Sequence, residues 1–132
     1  MKEVDANGTI IQNGTVLDGL HNFTLLTTLQ GVDINVSDIT FINGAAPGND
    51  MNNAVNGGAV VNGHKMTVSR CNFYNNIATS QGGAFSNTGE LVLHTVDFRH
   101  NKAKDAGALA STGASNKRIK MHGKYVTFAH NE

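Results

Sequence analysis

Between Gly58 and Asn101 one phrase is written twice, at a spacing of 25 residues and without a gap. The first copy runs Gly58-Ala59-Val60-Val61-Asn62-Gly63, then Met66-Thr67-Val68, then Cys71-Asn72-Phe73-Tyr74-Asn75-Asn76. The second runs Gly83-Ala84-Phe85-Ser86-Asn87-Thr88-Gly89, then Leu91-Val92-Leu93, then Val96-Asp97-Phe98-Arg99-His100-Asn101. A period in the twenties constrains the fold more than any other feature of the chain. A unit of that length cannot bury its apolar side alone, so successive units must stack, and a solenoid is expected.

The pattern inside the unit identifies what stacks. Val32, Ile34 and Val36 alternate with polar residues, as a half-buried strand requires. The alternation breaks at Ser37-Asp38 and resumes in a new phase at Ile39 and Phe41. A bend between two short strands is therefore expected, since one extra residue turns the next side chain to the other face. The same break separates Met66 and Val68 from Cys71 and Phe73, and Leu91 and Leu93 from Val96 and Phe98. Near the end, Ile119 and Met121 precede a gap longer by two residues, then Val126 and Phe128. Gly, Asn and β-branched residues interrupt every window long enough for a helix. The expected fold is all-β: a right-handed, single-stranded parallel β-helix of about five coils, with neighbouring coils about 4.8 Å apart. Residues 1–132 form one domain on this reading, with 1–31 as an irregular first coil or cap and 32–131 as the repeats.

Like side chains then stack in columns. One holds Phe41, Phe73, Phe98 and Phe128, another Ile39, Cys71, Val96 and Val126, and another Val60, Phe85 and Leu109. Three residues beyond the later phenylalanines stand Asn76, Asn101 and Asn131, with Gly44 at that place after Phe41. Asn and Gly tolerate a left-handed backbone, and amides repeated at one corner can stack on one another. Gly58, Gly83 and Gly107 each close a Gly-Gly or Ala-Gly pair that opens the next strand.

These motifs resemble the polymorphic outer-membrane-protein repeat and the related archaeal adhesin-like proteins, whose coils carry a Gly-Gly-Ala-aliphatic and a Phe-x-x-Asn tetrapeptide. Gly57-Gly58-Ala59-Val60 matches the first, Gly82-Gly83-Ala84-Phe85 departs at its last place, and Ala106-Gly107-Ala108-Leu109 departs at its first. The second appears as Phe73-Tyr74-Asn75-Asn76, Phe98-Arg99-His100-Asn101 and Phe128-Ala129-His130-Asn131. The resemblance covers residues 32–131. It implies a right-handed parallel β-helix of the pectin-lyase-like type and a surface-displayed adhesive or structural passenger.

Composition narrows the partners. Ten Lys and Arg balance ten Asp and Glu, so no strong field steers nucleic acid or an anionic membrane. The late basic cluster of Lys117, Arg118, Lys120 and Lys124 is expected to be a solvated face. No apolar run approaches the roughly 20 residues of a membrane span. A lone Cys71 excludes an internal disulfide. The first residues lack the apolar core of a signal peptide. The last repeat stops just after Asn131, so the chain is expected to be a piece of a longer protein.

Chemistry is sparser. Arg118-Ile119-Lys120 and Gly63-His64 copy fragments of polygalacturonase motifs, but Asp33, Asp38, Asp97 and Asp105 are scattered where a glycosidase needs clustered acids. His100 and His130 occupy equivalent places on neighbouring coils, and His94 with His122 suggests a second pair. A structural zinc site wants four ligands, so a solvent-facing polar ladder is expected rather than a metal or cofactor site. The Phe41-to-Phe73 spacing is 32 because an insert carries Pro47, Asn49, Asp50, Asn52 and Asn53. Such an insert loops out on one face and is either a candidate interaction loop or inert. Asn7, Asn13, Asn22 and Asn35 begin Asn-x-Ser/Thr sequons, which fit extracellular exposure. The expected function is a non-catalytic structural or adhesive segment of a cell-surface or secreted protein, with a glycan or protein ligand and end-to-end self-association. The alternative is a fragment of a polysaccharide-binding or polysaccharide-degrading enzyme.

Overall fold

Alternating apolar residues on either side of a bend need two walls to pack between, and the chain provides them by passing back and forth between two parallel sheets. The computed structural model describes residues 2–4, 10–45, 56–113 and 121–132. The insert residues Pro47, Asn49, Asp50, Asn52 and Asn53 lie outside them, as do Lys117, Arg118, Ile119 and Lys120. At the start, β1 (Lys2–Val4) and β2 (Ile10–Asn13) form an antiparallel pair. The strands β3 (Thr15–Asp18), β5 (Asp33–Ser37), β6 (Ile39–Ile42), β8 (Lys65–Tyr74), β10 (Glu90–Arg99) and β12 (Met121–Ala129) make the larger sheet, in the order β12-β10-β8-β6-β3 with β5 also beside β8. The strands β4 (Leu26–Thr28), β7 (Val60–Asn62), β9 (Phe85–Asn87) and β11 (Leu109–Ser111) make the smaller one, in the order β11-β9-β7-β4. Every pairing in both sheets is parallel. Isolated bridges Ala45↔Ile77, Ile77↔Lys102 and Gln81↔Asp105 mark a further line of contact where the chain turns.

The bend has a defined cause. Asp38, Arg70, Thr95 and Tyr125 take left-handed backbone, with φ of 58°, 50°, 55° and 55°. In β8, β10 and β12 the strand runs on through this residue, which the pairing skips before resuming on its far side, so the expected pair of short strands is one long bent strand. Thr15–Asp18 and Leu26–Thr28 already stand in register with the rungs that follow, Leu17 opposite Phe41 and Leu26 opposite Val60.

The registers set the core. Phe41 faces Phe73, Phe73 faces Phe98 and Phe98 faces Phe128. Their rings stack at 4.8, 4.8 and 5.0 Å with interplanar angles of 10° or less. Phe85 meets Phe73 edge-on at 5.8 Å and joins this column to that of Val60, Phe85 and Leu109. Cys71 and Val96 are buried in the next column, with Ile39 and Val126 packed against the core at its ends. Each buried Phe contributes about 1.5–3 kcal/mol. Phe128 departs from the expected core: it is 54% exposed, because β12 is an edge strand with no described rung beyond it.

Two further expectations are corrected. The last strand has no longer gap before its bend: Met121 stands opposite Leu91 and Gly123 opposite Leu93, where Ile119 and Met121 were expected. Tyr125 precedes Val126 as Thr95 precedes Val96, so the bend keeps its length and two unpaired residues are avoided, although Gly123 brings no side chain to the core. The left-handed corner residue is also not the recurring Asn. It is the residue before it, at Asn43, Asn75, His100 and His130, with φ between 52° and 55°. That turn swings Asn76 and Asn101 inward, and both are fully buried.

The glycine pairs serve close approach. A Cβ on Gly58 would lie 2.2 Å from the Gly83 carbonyl oxygen, and one on Gly83 would lie 2.0 Å from that of Gly107. The backbones of successive rungs pack directly there, and no side chain fits between them.

Candidate functional site

The residues that recur spend their polar groups on each other. Asn76 Nδ2 donates to Asn101 Oδ1 at 2.9 Å, and Asn101 Nδ2 donates to Asn131 Oδ1 at 2.9 Å. Each amide also donates to a carbonyl of the preceding rung: Asn76 to Phe41, Asn101 to Phe73 and Asn131 to Phe98. The amide stack expected from Asn76, Asn101 and Asn131 is therefore a continuous hydrogen-bonded ladder behind the Phe column. Gly44 heads it, its N–H donating to Asn76 Oδ1 at 2.8 Å.

A second buried ladder escaped the sequence reading. Thr28 Oγ1 donates to Asn62 Oδ1, Asn62 Nδ2 to Asn87 Oδ1 and Asn87 Nδ2 to Ser111 Oγ, at 2.9, 2.7 and 2.9 Å. The signal was present, since Asn62 and Asn87 hold the same place in the two copies of the phrase. Its ends were hidden because Thr and Ser replace Asn there.

Outside the corner, the left-handed residues form an exposed column. The imidazoles of His100 and His130 stack at 5.2 Å with 9° between their planes. With His21, Asn75, Ile77 and the Lys102–Glu132 ion pair (3.7 Å), they line a cleft of about 230 Å³. A site of this size is smaller than a drug-sized ligand pocket and offers imidazole edges and an ion pair to a polar group. The expected partnership of His94 with His122 is not formed: His94 stands opposite Lys124 and His122 opposite Val92, a consequence of the corrected register. Among the described residues, no group of three or more His, Cys, Asp or Glu side chains could hold a metal ion.

Three of the four scattered acids lie beside bases. Asp38 accepts two 2.7 Å hydrogen bonds from Arg70 Nε and Nη2, which hold its carboxyl below the ordinary carboxylate range. Asp97 Oδ2 accepts from Arg99 Nε at 2.7 Å and from the Tyr74 hydroxyl at 3.3 Å. Burial first, and then the Asp97 carboxylate, push the Tyr74 hydroxyl up. Asp33 lies 3.4 Å from His64 Nε2, so the Gly63-His64 fragment belongs to a surface contact. Asp105 bridges to Gln81 along the backbone. The Cys71 thiol is buried and pushed up by that burial, which keeps it protonated and unreactive. Lys124 is exposed, its Nζ 5.1 Å from the centre of the Tyr125 ring. No family model matches the chain, and no curated protein or solved structure matches it either.

Proposed function

We propose that the chain winds as a right-handed parallel β-helix of about five coils and is a non-catalytic structural or adhesive segment of a cell-surface or secreted protein. The observation that carries this reading is the use made of the recurring polar residues. Asn76, Asn101, Asn62 and Asn87 bond to their counterparts one rung away, inside the molecule, where they hold rungs together and face no ligand. Strands that alternate between two sheets, each pairing in parallel with its counterpart one repeat away, suit a winding chain. The Gly-Gly-Ala and Phe-x-x-Asn tetrapeptides support a likeness to the polymorphic outer-membrane-protein repeat. Outward-facing side chains, such as Asn72, Asp97 and Thr127 in one line, present regular polar ranks to a glycan or protein.

A glycan array read alongside a product assay tests the proposal. Binding to one class of glycan or to cell-surface protein, with no new reducing ends or unsaturated uronates released, is the expected result. Depolymerisation of a pectin-like glycan would establish the enzyme alternative instead.

A further inference from the structure

The cleft at the corner is a groove that runs along the stack, between two columns flanking the buried amides of Asn76 and Asn101. On one side stand the exposed residues before each ladder amide, Asn75, His100 and His130, all with left-handed backbone. On the other stand the residues after it, Ile77, Lys102 and Glu132. Backbone bonds lock both columns from rung to rung. His100 N–H donates to the Ala129 carbonyl at 3.3 Å, Lys102 N–H to that of Asn76 at 2.8 Å, and Glu132 N–H to that of Asn101 at 2.9 Å. The groove lies on the flank of the stack and crosses the rungs, so its walls are set by the corner that each rung repeats.

The floor of the groove is spent and its walls are not. The Asn101 amide bonds to Asn76, Phe73 and Asn131. The imidazole nitrogens of His100 and His130 bond to none of the described residues, and stacking at 5.2 Å turns their ring faces to each other and their edges to solvent. Among the described residues Lys102 Nζ pairs with the Glu132 carboxylate alone, at 3.7 Å, longer than a hydrogen bond, and the two side chains are 66% and 78% exposed. The remaining charges nearby are committed elsewhere. Asp18, beside His21, accepts from Leu20 N–H and Asn43 Nδ2, and Arg99 donates to Asp97. Histidine is the side chain that changes charge between about pH 5 and 8. Acidification therefore adds positive charge to a groove in which one lysine and one glutamate otherwise balance.

We infer that this groove is the docking site for an acidic glycan, which it binds more tightly as pH falls. One oxyanion, a carboxylate or a sulfate ester, accepts from the neighbouring imidazole edges of His100 and His130 and displaces Glu132 from Lys102. Charge-assisted bonds of this kind are about twice as strong as neutral ones. Ile77, 41% exposed, gives the sugar ring an apolar contact. The groove is smaller than the roughly 300–1,000 Å³ of a drug-sized pocket, so it takes a short stretch of a longer chain lying along the stack. An acidic peptide fits less well. Side chains on one face of an extended strand recur about 6.6 Å apart, wider than the 5.2 Å between the imidazoles. The inference rests on the reading of the chain as an adhesive segment and names the ligand class.

The test measures binding of the full chain to labelled hexasaccharides of heparin, hyaluronan and chitin, by fluorescence anisotropy at about pH 5.5 and about pH 7.5. Heparin carries sulfate and carboxylate, hyaluronan carboxylate alone and chitin neither, so the first two identify the preferred oxyanion. The variant is His100→Asn combined with His130→Asn, since Asn43 and Asn75 already hold that left-handed place and the fold is kept. The acidic sugars are expected to bind and chitin not. Affinity should rise about tenfold from the higher pH to the lower, the double variant should lose that rise, and Glu132→Gln should bind severalfold tighter. Equal binding of all three sugars, an equal pH response in wild type and double variant, or no binding of either acidic sugar would overturn the inference. Each of those results leaves the adhesive reading to another ligand. Shortened sugar products would overturn the non-catalytic reading, and the inference with it.

Discussion

Asn101 shows how much a single residue can hold in this molecule. It is fully buried, it accepts from Asn76 N–H and Nδ2, and it donates to the Phe73 carbonyl and to Asn131. Asn101→Ala strips partners from several buried groups at once, each worth about 1–3 kcal/mol when left unsatisfied. A loss on the order of 3 kcal/mol in urea unfolding is expected; a loss under about 1 kcal/mol would mean that water replaces the amide. Asp38 has a different role, on the surface. Its carboxyl is more acidic in the folded chain because Arg70 bonds to it. The pair therefore stabilises the fold above the ordinary aspartate pKa of about 4, and that contribution is lost as pH falls through this value towards the lower folded one. Wild type and Asp38→Asn should differ in urea midpoint near neutral pH, and the difference should shrink as pH falls below about 4. A constant difference would assign the effect to shape and not to charge.

The bent strand is the element that defines the repeat, and its left-handed residue is its most costly part. Thr95 is exposed and β-branched at φ 55°, a conformation that costs such a residue about 1–2 kcal/mol. Asn visits that region readily, so Thr95→Asn is expected to raise stability by about 0.5–1 kcal/mol, read as a higher urea midpoint. A lower midpoint would show that the Thr95 side chain holds the bend. The bend itself was legible, because a phase change between Met66–Val68 and Cys71–Phe73 has few other causes. The Phe column was legible for the same reason. The left-handed corner was misplaced by one residue, since Asn at Asn76 and Asn101 suits both a turn and a buried amide, and the sequence does not distinguish them. The register of β12 was misread because apolar Ile119 and Met121 suggested core places, whereas the fixed length of the bend assigns one of those places to Gly123. The second ladder went unread because its members differ in type at every end. The His100–His130 stack followed from their equivalent spacing; the cleft beside it, with Lys102 and Glu132, depends on how the corner folds.

For the molecule as a whole, stability is graded along the stack. Phe98 lies between Phe73 and Phe128 and is fully buried, so Phe98→Ala is expected to cost about 3–5 kcal/mol. Phe128 is covered on one face only, and Phe128→Ala should cost about 1 kcal/mol. Equal losses in chemical denaturation would mean that the outer face is covered as well.

The 25-residue spacing between the rungs of Phe73 and Phe98 also bears on how such a chain can change length. Excision of residues 76–100 would join Asn75 to Asn101 and bring the rungs on either side together with every column still in line. Loss of one residue within a strand would instead turn each following side chain to the wrong face. The stack can therefore lose or gain a whole 25-residue unit with its packing intact, whereas it cannot absorb a single-residue deletion inside a strand.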